Sequence, residues 1–332
     1  MVFLSWNEPQ FVICLTLISA ACLDFCLGDP WHWLHPVQVI GWGIGQSSDR
    51  LLKSLKVPIG LRIAGIGLTL LCVGGSGCFA WGLLTLATLL HPGLGWVTAT
   101  ILLASCFAGR SLRDAAESVL QVLVTGDLAT ARSHLSRYVG RDTTDLQIED
   151  IYRAILETVA ENGVDGVMAP LFWAIVGAFF GLAVPFALAF KAASTLDSMV
   201  GYREAPYTDL GWCSAKLDDV LVWLPCRLTV LTLAVLSGRP RQIWALCQRD
   251  AYQDPSPNSG WSETVYAAVL RVQLGGANRY RGVIKHKPLL GNPDRPITPE
   301  RVRSALQLNR VCFLLWLTIG VFLLALFKSM GS

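Results

Sequence analysis

The sequence predicts an all-α, polytopic integral membrane protein with about four to six membrane helices and two long helical cytoplasmic loops. Hydrophobic residues make up 53% of the 332 residues and charged residues only 15%, whereas soluble domains carry about 25% charged residues. Six apolar segments are candidate membrane helices. Five of them have 17 or more residues, close to or above the roughly 20 that cross a bilayer as a helix, and residues 96–109 are shorter. This composition excludes a disordered chain and disfavours an ordinary soluble enzyme. The net charge of +3 is small, so nucleic acid is not an expected partner.

The predicted spans lie near residues 11–27, 63–90, 96–109, 167–190, 220–236 and 311–327. Residues 1–10 contain no Lys or Arg, unlike the basic start of a secretory signal, so we expect the first span to be retained. Gly181 and Pro185 interrupt the fourth span. That segment either crosses once or re-enters the same face, and both alternatives stay open. We expect one integrated membrane domain over residues 1–332.

Two long polar stretches, 110–166 and 238–310, carry most of the Lys and Arg. Basic loops are retained on the cytoplasmic side of membranes. We therefore expect a multi-pass protein of the inner (plasma) membrane, embedded in the lipid bilayer, with its active face in the cytoplasm. The ten cysteines show neither C-x-x-C pairs nor zinc-ligand spacing, so we expect small buried apolar side chains and no disulfide framework.

Charged residues recur at every fourth position in the first polar stretch: Asp145, Glu149, Arg153, Glu157, Glu161 and Asp165. This spacing predicts one face of a helix. Pairs of opposite charge explain the first half as a solvated face. The last three members are like charges, which destabilise a helix at this spacing. They favour a divalent cation with oxygen ligands or acid–base chemistry, and the solvated face remains the alternative.

A second polar cluster, containing Lys191, Asp197 and Ser198, directly follows the fourth apolar segment. Charged side chains at a membrane boundary are costly and indicate function by default. In the alternative interpretation, Lys191 extends toward the interface and Asp197 caps a helix.

A third cluster joins Lys216, Asp218 and Asp219 to Arg227, which lies inside an apolar segment. The two aspartates suit Mg²⁺, and the two cations suit phosphate. A structural ion pair between Arg227 and either aspartate is the alternative. The chain has no G-x-x-x-x-G-K-[ST] loop, so any use of ATP would not involve that motif.

Many motifs follow one another in the order found in a known family. They are Gly28-Asp29-Pro30, His35-Pro36-Val37, Gly109-Arg110-Ser111-Leu112, Val139-Gly140-Arg141-Asp142-Thr143, Ala160-Glu161-Asn162, Thr195-Leu196-Asp197-Ser198, Ser214-Ala215-Lys216-Leu217-Asp218-Asp219, Ser256-Pro257-Asn258 and Leu274-Gly275-Gly276. Together they resemble the CobD/CbiB family of cobalamin biosynthesis, the membrane-bound cobinamide or cobinamide-phosphate synthases. The resemblance runs over about residues 22 to 285. Ser194 and Lys216 depart from the Asn and Arg expected there.

The resemblance implies an amide ligase that joins the ring D propionate carboxyl of adenosylcobyric acid to aminopropanol or to its O-phosphate. It also implies ATP as a substrate, Mg²⁺ as a cofactor, a bound corrinoid, and other enzymes of the same pathway as partners. The catalytic residues predicted for this chemistry are Glu157, Glu161, Asp165 and Asp197. The residues predicted to bind substrate or phosphate are Arg141, Asn162, Lys191, Ser198, Lys216, Arg227 and Asn258. The residues predicted to bind the metal are Glu161, Asp197, Asp218 and Asp219.

Two other functions are alternatives. A related membrane family, associated with sensing of cell-wall damage and induction of β-lactamase, shares parts of this pattern without known ligase activity. The carboxylates and the Ser-Pro-Asn and Leu-Gly-Gly motifs favour the ligase. A transporter would use charges inside its spans and often shows an inverted repeat. Here the charges lie at span ends and in loops, and no such repeat is visible.

Overall fold

A computed structural model describes residues 10–28 and 35–331, with side chains as far as residue 327. Over these residues the chain is helical apart from one β-hairpin. The elements are α1 Gln10–Leu27, α2 Pro36–Ser54, α3 Pro58–Leu90, α4 Pro92–Ala104, α5 Gly109–Val124, α6 Leu128–Leu135, α7 Ile148–Asn162, a π-turn Gly163–Met168, α8 Ala169–Ala178, α9 Ala183–Val200, α10 Trp212–Leu236, α11 Pro240–Asp250, a 3-10 turn Ala251–Gln253, α12 Ser259–Leu270, β1 Leu274–Tyr280, β2 Val283–Leu290 and α13 Pro299–Gly331.

Five helical segments of the described chain are long and apolar enough to cross a membrane. They are Gln10–Leu27, Pro58–Leu90, Pro92–Val124, Trp212–Leu236 and Pro299–Phe327. The third of these covers α4 and the more polar α5 that follows it. The prediction of an all-α, polytopic membrane protein is confirmed.

The predicted span 167–190 is not one helix. Its residues are divided between the π-turn, α8 and α9, with a break at residues 179–182. Gly181 takes a φ of +71°, a left-handed conformation that ends helices. Pro185 then lies in the first turn of α9, where a proline costs no helical hydrogen bond. Neither α8 nor α9 is among the five apolar segments.

The chain divides into two compact units. Unit 1 comprises residues 1–108, 169–221 and 314–332, and unit 2 comprises residues 109–168 and 222–313. In unit 1, α3 packs along α4 and α9, and α8 packs on α9. A small apolar core in this unit is formed by Ile44 of α2 with Leu196 and Val200 of α9.

Unit 2 contains both of the long polar stretches. Helix α7 packs against α5, α6, α12 and β1, and it buries Ile151, Ile155 and Val159 among them. The two polar stretches therefore belong to one compact unit, together with parts of the apolar helices α10 and α13.

The β-hairpin is the part of unit 2 that the predicted helical loop 238–310 did not include. Strands β1 and β2 pair antiparallel, and Tyr280 lies opposite Val283. The two-residue turn between them, Arg281-Gly282, has φ values of 51° and 81°. Two successive positive φ values are typical of the type I′ turn that closes hairpins.

None of the ten cysteines, all of which lie in the described residues, forms a disulfide. Cys106, Cys226, Cys247 and Cys312 are buried, which fits small apolar side chains. Cys22, Cys26 and Cys78 are exposed instead. They lie on α1 and α3, two of the apolar segments, where an exposed side chain can face lipid.

Candidate functional site

Glu157 is the centre of a buried network in unit 2. Its side chain is 2% exposed and forms an ion pair with Arg141 through Oε2. Its Oε1 accepts a hydrogen bond from the Gly275 backbone N–H at 2.9 Å and lies 3.5 Å from Nη1 of Arg153. Both carboxylate oxygens are therefore held by donors, so Glu157 is fixed in place on the inner face of α7.

The two arginines extend this network to the hairpin. Arg141 Nη1 donates to Asn278 Oδ1 at 2.9 Å. Arg153 Nη1 donates to the Gly275 carbonyl at 2.6 Å and to Asn278 Oδ1 at 3.1 Å. Arg141, predicted to bind substrate or phosphate, is 9% exposed and makes these protein contacts. Together the contacts attach β1 to α7.

Glu263 and Lys287 form a second buried ion pair in unit 2. Glu263, on α12, is 0% exposed, and its Oε1 accepts from Lys287 Nζ at 3.0 Å. Its other oxygen, Oε2, is buried and has no hydrogen-bond partner. Glu161, one turn after Glu157 on α7, interacts electrostatically with both members of the pair. The predicted residue Glu161 is thereby placed beside two residues that were not predicted.

The charges of this cluster change the proton affinities of its members. Burial raises the pKa of Glu161 and of Glu263, and the Lys287 ammonium opposes both shifts. Burial lowers the pKa of Lys287, but Glu263, Glu161 and Glu157 together raise it by more, so the net shift is upward. Burial is thus the main cause of the upward shifts of the two glutamates, and the surrounding carboxylates cause the upward shift of the lysine. Such carboxyl groups can exchange protons nearer to neutral pH than ordinary ones.

The sequence did contain signals for Glu263 and Lys287. Glu263 is the single charged residue in α12, Ser259–Leu270, and a charged residue in a buried segment is rare unless it is paired. Lys287 gave a weaker signal, because it is one of several basic residues in its loop. The ion pair between them could not be predicted, because it depends on the packing of β2 against α12, and the hairpin was not predicted.

The six charged residues that recur at every fourth position lie only partly on one helical face. Glu149, Arg153, Glu157 and Glu161 lie on α7, as predicted. Asp145 precedes that helix and accepts a hydrogen bond from Arg279 Nη1 at 2.6 Å, so its predicted place on the same face is wrong.

Two further predicted residues lie at the end of α7. Asp165 belongs to the π-turn, so the four-residue period of the α-helix does not continue to it. Asn162 is the last residue of α7 and is exposed, and its Nδ2 donates to the Thr158 carbonyl at 3.0 Å. π-turns inside helices are frequent at functional sites.

Arg227 and Asn258, both predicted to bind substrate, contact each other in unit 2. Arg227 Nη1 donates to Asn258 Oδ1 and Nη2 donates to the Pro257 carbonyl, each at 2.7 Å. The guanidinium lies between Trp223 and Trp261, at 5.1 and 4.9 Å from the ring centres. Arg227 therefore fixes the loop that carries the Ser256-Pro257-Asn258 motif.

The remaining predicted residues belong to unit 1. Asp218 interacts electrostatically with Asp197 and Asp219, and its Oδ1 is buried without a hydrogen-bond partner. Lys216 is 62% exposed and lies 3.7 Å from Asp219. Lys191 and Ser198 lie on α9 together with Asp197.

The donor chemistry of these three aspartates fits Mg²⁺. Mg²⁺ takes carboxylate oxygens, usually one or two of them, and completes its shell with water and substrate phosphate. Asp218 offers an unpartnered buried oxygen for this purpose. No group of three His, Cys, Asp or Glu side chains arranged to hold a metal occurs among the described residues. The fourth predicted ligand, Glu161, belongs to unit 2 and lies near Lys287 instead.

Part of the amino-terminal motif, Asp29 and Pro30, lies outside the described residues. All the motifs quoted above can nevertheless be compared with a family model through the sequence. The model described as "CobD/Cbib protein" matches residues 17–309 of the chain. The chain belongs to the CobD/CbiB family.

Several CobD/CbiB relatives are similar over nearly their whole length. The "Cobalamin biosynthesis protein CobD" of Synechocystis sp. is 50% identical over 317 residues, which cover 95% of this chain and 93% of the relative. The "Cobalamin biosynthesis protein CbiB" of Salmonella arizonae is 43% identical over 290 residues, covering 86% and 89%. That of Salmonella typhimurium is 42% identical over 301 residues, covering 90% and 93%. No solved structure matches the chain.

The CobD/CbiB match includes both clusters described above. Glu157, Glu161, Glu263 and Lys287 of unit 2 lie inside residues 17–309, and so do the three aspartates of unit 1. The family assignment therefore covers every predicted site residue.

Proposed function

We propose that this chain acts in cobalamin biosynthesis as an amide-forming ligase of the adenosylcobinamide-phosphate synthase type. It would join the ring D propionate carboxyl of adenosylcobyric acid to aminopropanol or to its O-phosphate. The product would be cobinamide or cobinamide phosphate. The family match over residues 17–309 carries this proposal, and the relatives reported above are named for cobalamin biosynthesis.

The proposed reaction first activates the carboxylate. A carboxylate is a poor electrophile, so its oxygen attacks the γ-phosphorus of ATP, which gives an acyl phosphate and ADP. The amine nitrogen then attacks the acyl carbon, forms the C–N bond and expels phosphate. These steps need cations that balance phosphate charge and a group that removes a proton from the ammonium form of the amine.

In unit 1 we assign Asp197, Asp218 and Asp219 to Mg²⁺, on the basis of their shared oxygen chemistry and the unpartnered Oδ1 of Asp218. Mg²⁺, when bound, neutralises phosphate charge. Lys191, Lys216 and Ser198 are assigned to the phosphate groups of ATP. The 62% exposure of Lys216 leaves its ammonium accessible for this contact.

In unit 2 we assign Glu161 to proton transfer, since its pKa is raised by burial and it lies next to the Glu263–Lys287 pair. Glu157 and Arg141 satisfy each other and are assigned a positioning role. Asn162 and Asp165, at the end of α7 and in the π-turn, are assigned to contact with substrate. Arg227 and Asn258 hold the loop that we expect to lie against the corrinoid.

We also propose that the protein lies in the plasma membrane with the two polar stretches, 110–166 and 238–310, in the cytoplasm. The five apolar helical segments support the membrane location. The basic residues of the two polar stretches, which belong to one compact unit, support the cytoplasmic orientation. Other enzymes of the pathway are proposed as partners. The sensor of β-lactamase induction receives no support, since the relatives reported above are named for cobalamin biosynthesis.

Alanine at Glu161 or Asp197 tests the assigned roles. Each variant should lower the rate of ligation in detergent-purified protein by about a hundredfold or more, the range expected for loss of an acid–base group or a metal ligand. Glu149→Ala is the matched control, because Glu149 is an exposed residue of the same helix as Glu161. A wild-type rate in either site variant would remove that residue from the site.

A further inference from the structure

The Glu263–Lys287 pair carries an inference that goes beyond the roles assigned above and rests on the proposed function. We infer that Glu263 is the group that accepts the proton from the ammonium form of the amine substrate, while Lys287 holds its carboxylate in place. Neither residue belongs to a motif that the sequence analysis assigned to the site.

The first observation is the state of the Glu263 carboxylate. The residue is 0% exposed, one oxygen is bound by Lys287 at 3.0 Å, and the other oxygen has no donor. An unpaired oxygen of a buried carboxylate costs free energy unless a ligand or water supplies the missing donor. A primary ammonium supplies N–H donors and a positive charge.

The second observation is the charge balance around that oxygen. The charged groups that interact with Glu263 or its neighbour Glu161 are Glu157, Glu161, Asp254, Arg141 and Lys287. Arg141 is already paired with Glu157. Within this set, Lys287 is then the one cation available to three carboxylates, those of Glu161, Glu263 and Asp254. The cluster therefore attracts a further cation. The charge of the ligand is thus predicted to be positive.

The third observation is the partial exposure of the groups beside Glu263. Glu161 is partly exposed, and the side chain of Lys287 is 28% exposed, whereas Glu263 is enclosed. We expect the amine to bind first at Glu161, which interacts electrostatically with the enclosed carboxylate. Burial also raises the pKa of Glu263, which makes its carboxylate a stronger base than an ordinary one.

The proton-transfer step is balanced as follows. The ammonium R–NH₃⁺ gives one proton to the Glu263 carboxylate, which becomes a neutral carboxylic acid. The freed electron pair on nitrogen forms the C–N bond at the acyl carbon. As the tetrahedral adduct collapses, the C–O bond to phosphate breaks. The departing phosphate takes the electron pair and, by way of the Glu161 carboxylate, the second proton from nitrogen.

Two nucleophiles separate this role from a structural one. Aminopropanol is protonated at neutral pH and needs a proton acceptor, whereas hydroxylamine is mostly uncharged and does not. We expect Glu263→Gln to lower amide formation from aminopropanol, or from its phosphate, by about a hundredfold or more. The same variant should keep ATP-dependent hydroxamate formation from adenosylcobyric acid within about threefold of wild type. Glu149→Gln, on the exposed face of α7, is the matched control and should retain both products.

The outcomes distinguish the inference from the proposed function. Amide from the wild-type protein, with equal loss of amide and hydroxamate in Glu263→Gln that still melts at the wild-type temperature, would overturn the inference alone. If Glu263→Gln does not fold, Lys287→Gln decides instead. Without the lysine the Glu263 carboxylate binds its proton more tightly, so the acidic limb of the pH–rate profile for amide must move to higher pH. An unmoved limb would overturn the inference. No amide from wild-type protein with either amine would contradict the proposed function and the inference together.

Discussion

At the scale of single residues, the two glutamates one turn apart on α7 have different surroundings. Both oxygens of Glu157 are bound by Arg141, Arg153 and the Gly275 N–H. Glu161 lies among an excess of carboxylates with Lys287 as a nearby cation. From the sequence, a catalytic role is predicted for both, and metal binding for Glu161 as well. Their surroundings lead us to propose a positioning role for Glu157 and proton transfer for Glu161.

Glu157→Gln should lower the free energy of unfolding by about 3–5 kcal/mol, the usual effect of breaking a buried ion pair. Gln keeps the volume and one acceptor, but it leaves the Arg141 guanidinium buried without a counter-charge. Denaturant unfolding of the protein in detergent measures this change. The exposed control Glu149→Gln should shift the value by no more than about 0.5 kcal/mol. Equal effects of the two variants would show that the buried network contributes nothing specific.

The raised pKa of Glu161 predicts a dependence of stability on pH. The folded protein keeps the Glu161 proton to higher pH than the unfolded chain, whose glutamates titrate near about 4.3. Between the unfolded and the folded pKa the unfolded state binds fewer protons, so stability falls as pH rises. Glu161→Gln should remove this part of the fall. Unfolding curves of both proteins measured from pH 4 upward provide the test, and parallel curves would contradict the expected shift.

At the scale of elements, the start of β1 is shaped by Gly275. Its φ is +85°, and a Cβ there would overlap the carbonyl oxygen of Pro288 on the paired strand. The same residue supplies the N–H that binds Glu157. The bulge between Leu274 and Gly276 therefore connects the geometry of the hairpin to the buried network.

Gly275→Ala should destabilise the protein by about 1–3 kcal/mol more than Gly282→Ala. Gly282, in the hairpin turn, has a similar φ of +81° but open space around its Cβ. The two variants share the cost of a left-handed alanine, about 1–2 kcal/mol, and differ in the steric overlap. Thermal unfolding monitored by tryptophan fluorescence compares them directly. Similar losses would mean that the overlap is relieved elsewhere.

The long apolar helices could be predicted, because long apolar runs are unambiguous. The hairpin could not, since β1 begins Leu274-Gly275-Gly276 and its pairing depends on contacts with distant residues such as Arg153. The division of residues 167–190 was visible in Gly181 and Pro185, but periodicity could not say that the chain ends α8 and starts α9 there. Of the site, the carboxylates on α7 were found, and Glu263 and Lys287 were missed because their pairing requires the hairpin.

At the scale of the whole molecule, we expect the two polar stretches to share one side of the membrane, since they belong to one compact unit. Protease-cleavable tags inserted at Gly126, between α5 and α6, and between Arg281 and Gly282 test this arrangement. Both should be cut in inside-out vesicles and protected in right-side-out vesicles, since basic loops stay in the cytoplasm. Tags that are cut from opposite sides would contradict the single compact unit. Tags that are both cut from outside would contradict the cytoplasmic orientation.

The central claim is that the chain forms an amide bond on a corrinoid carboxylate. The most direct measurement incubates the detergent-purified full-length protein with adenosylcobyric acid, ATP and Mg²⁺, together with aminopropanol or its O-phosphate, and determines the mass of the corrinoid product. We predict that one of the two amines gives the mass of the amide and that omission of ATP abolishes it. Folded protein that gives no amide with either amine, with and without added cell extract, would contradict the claim.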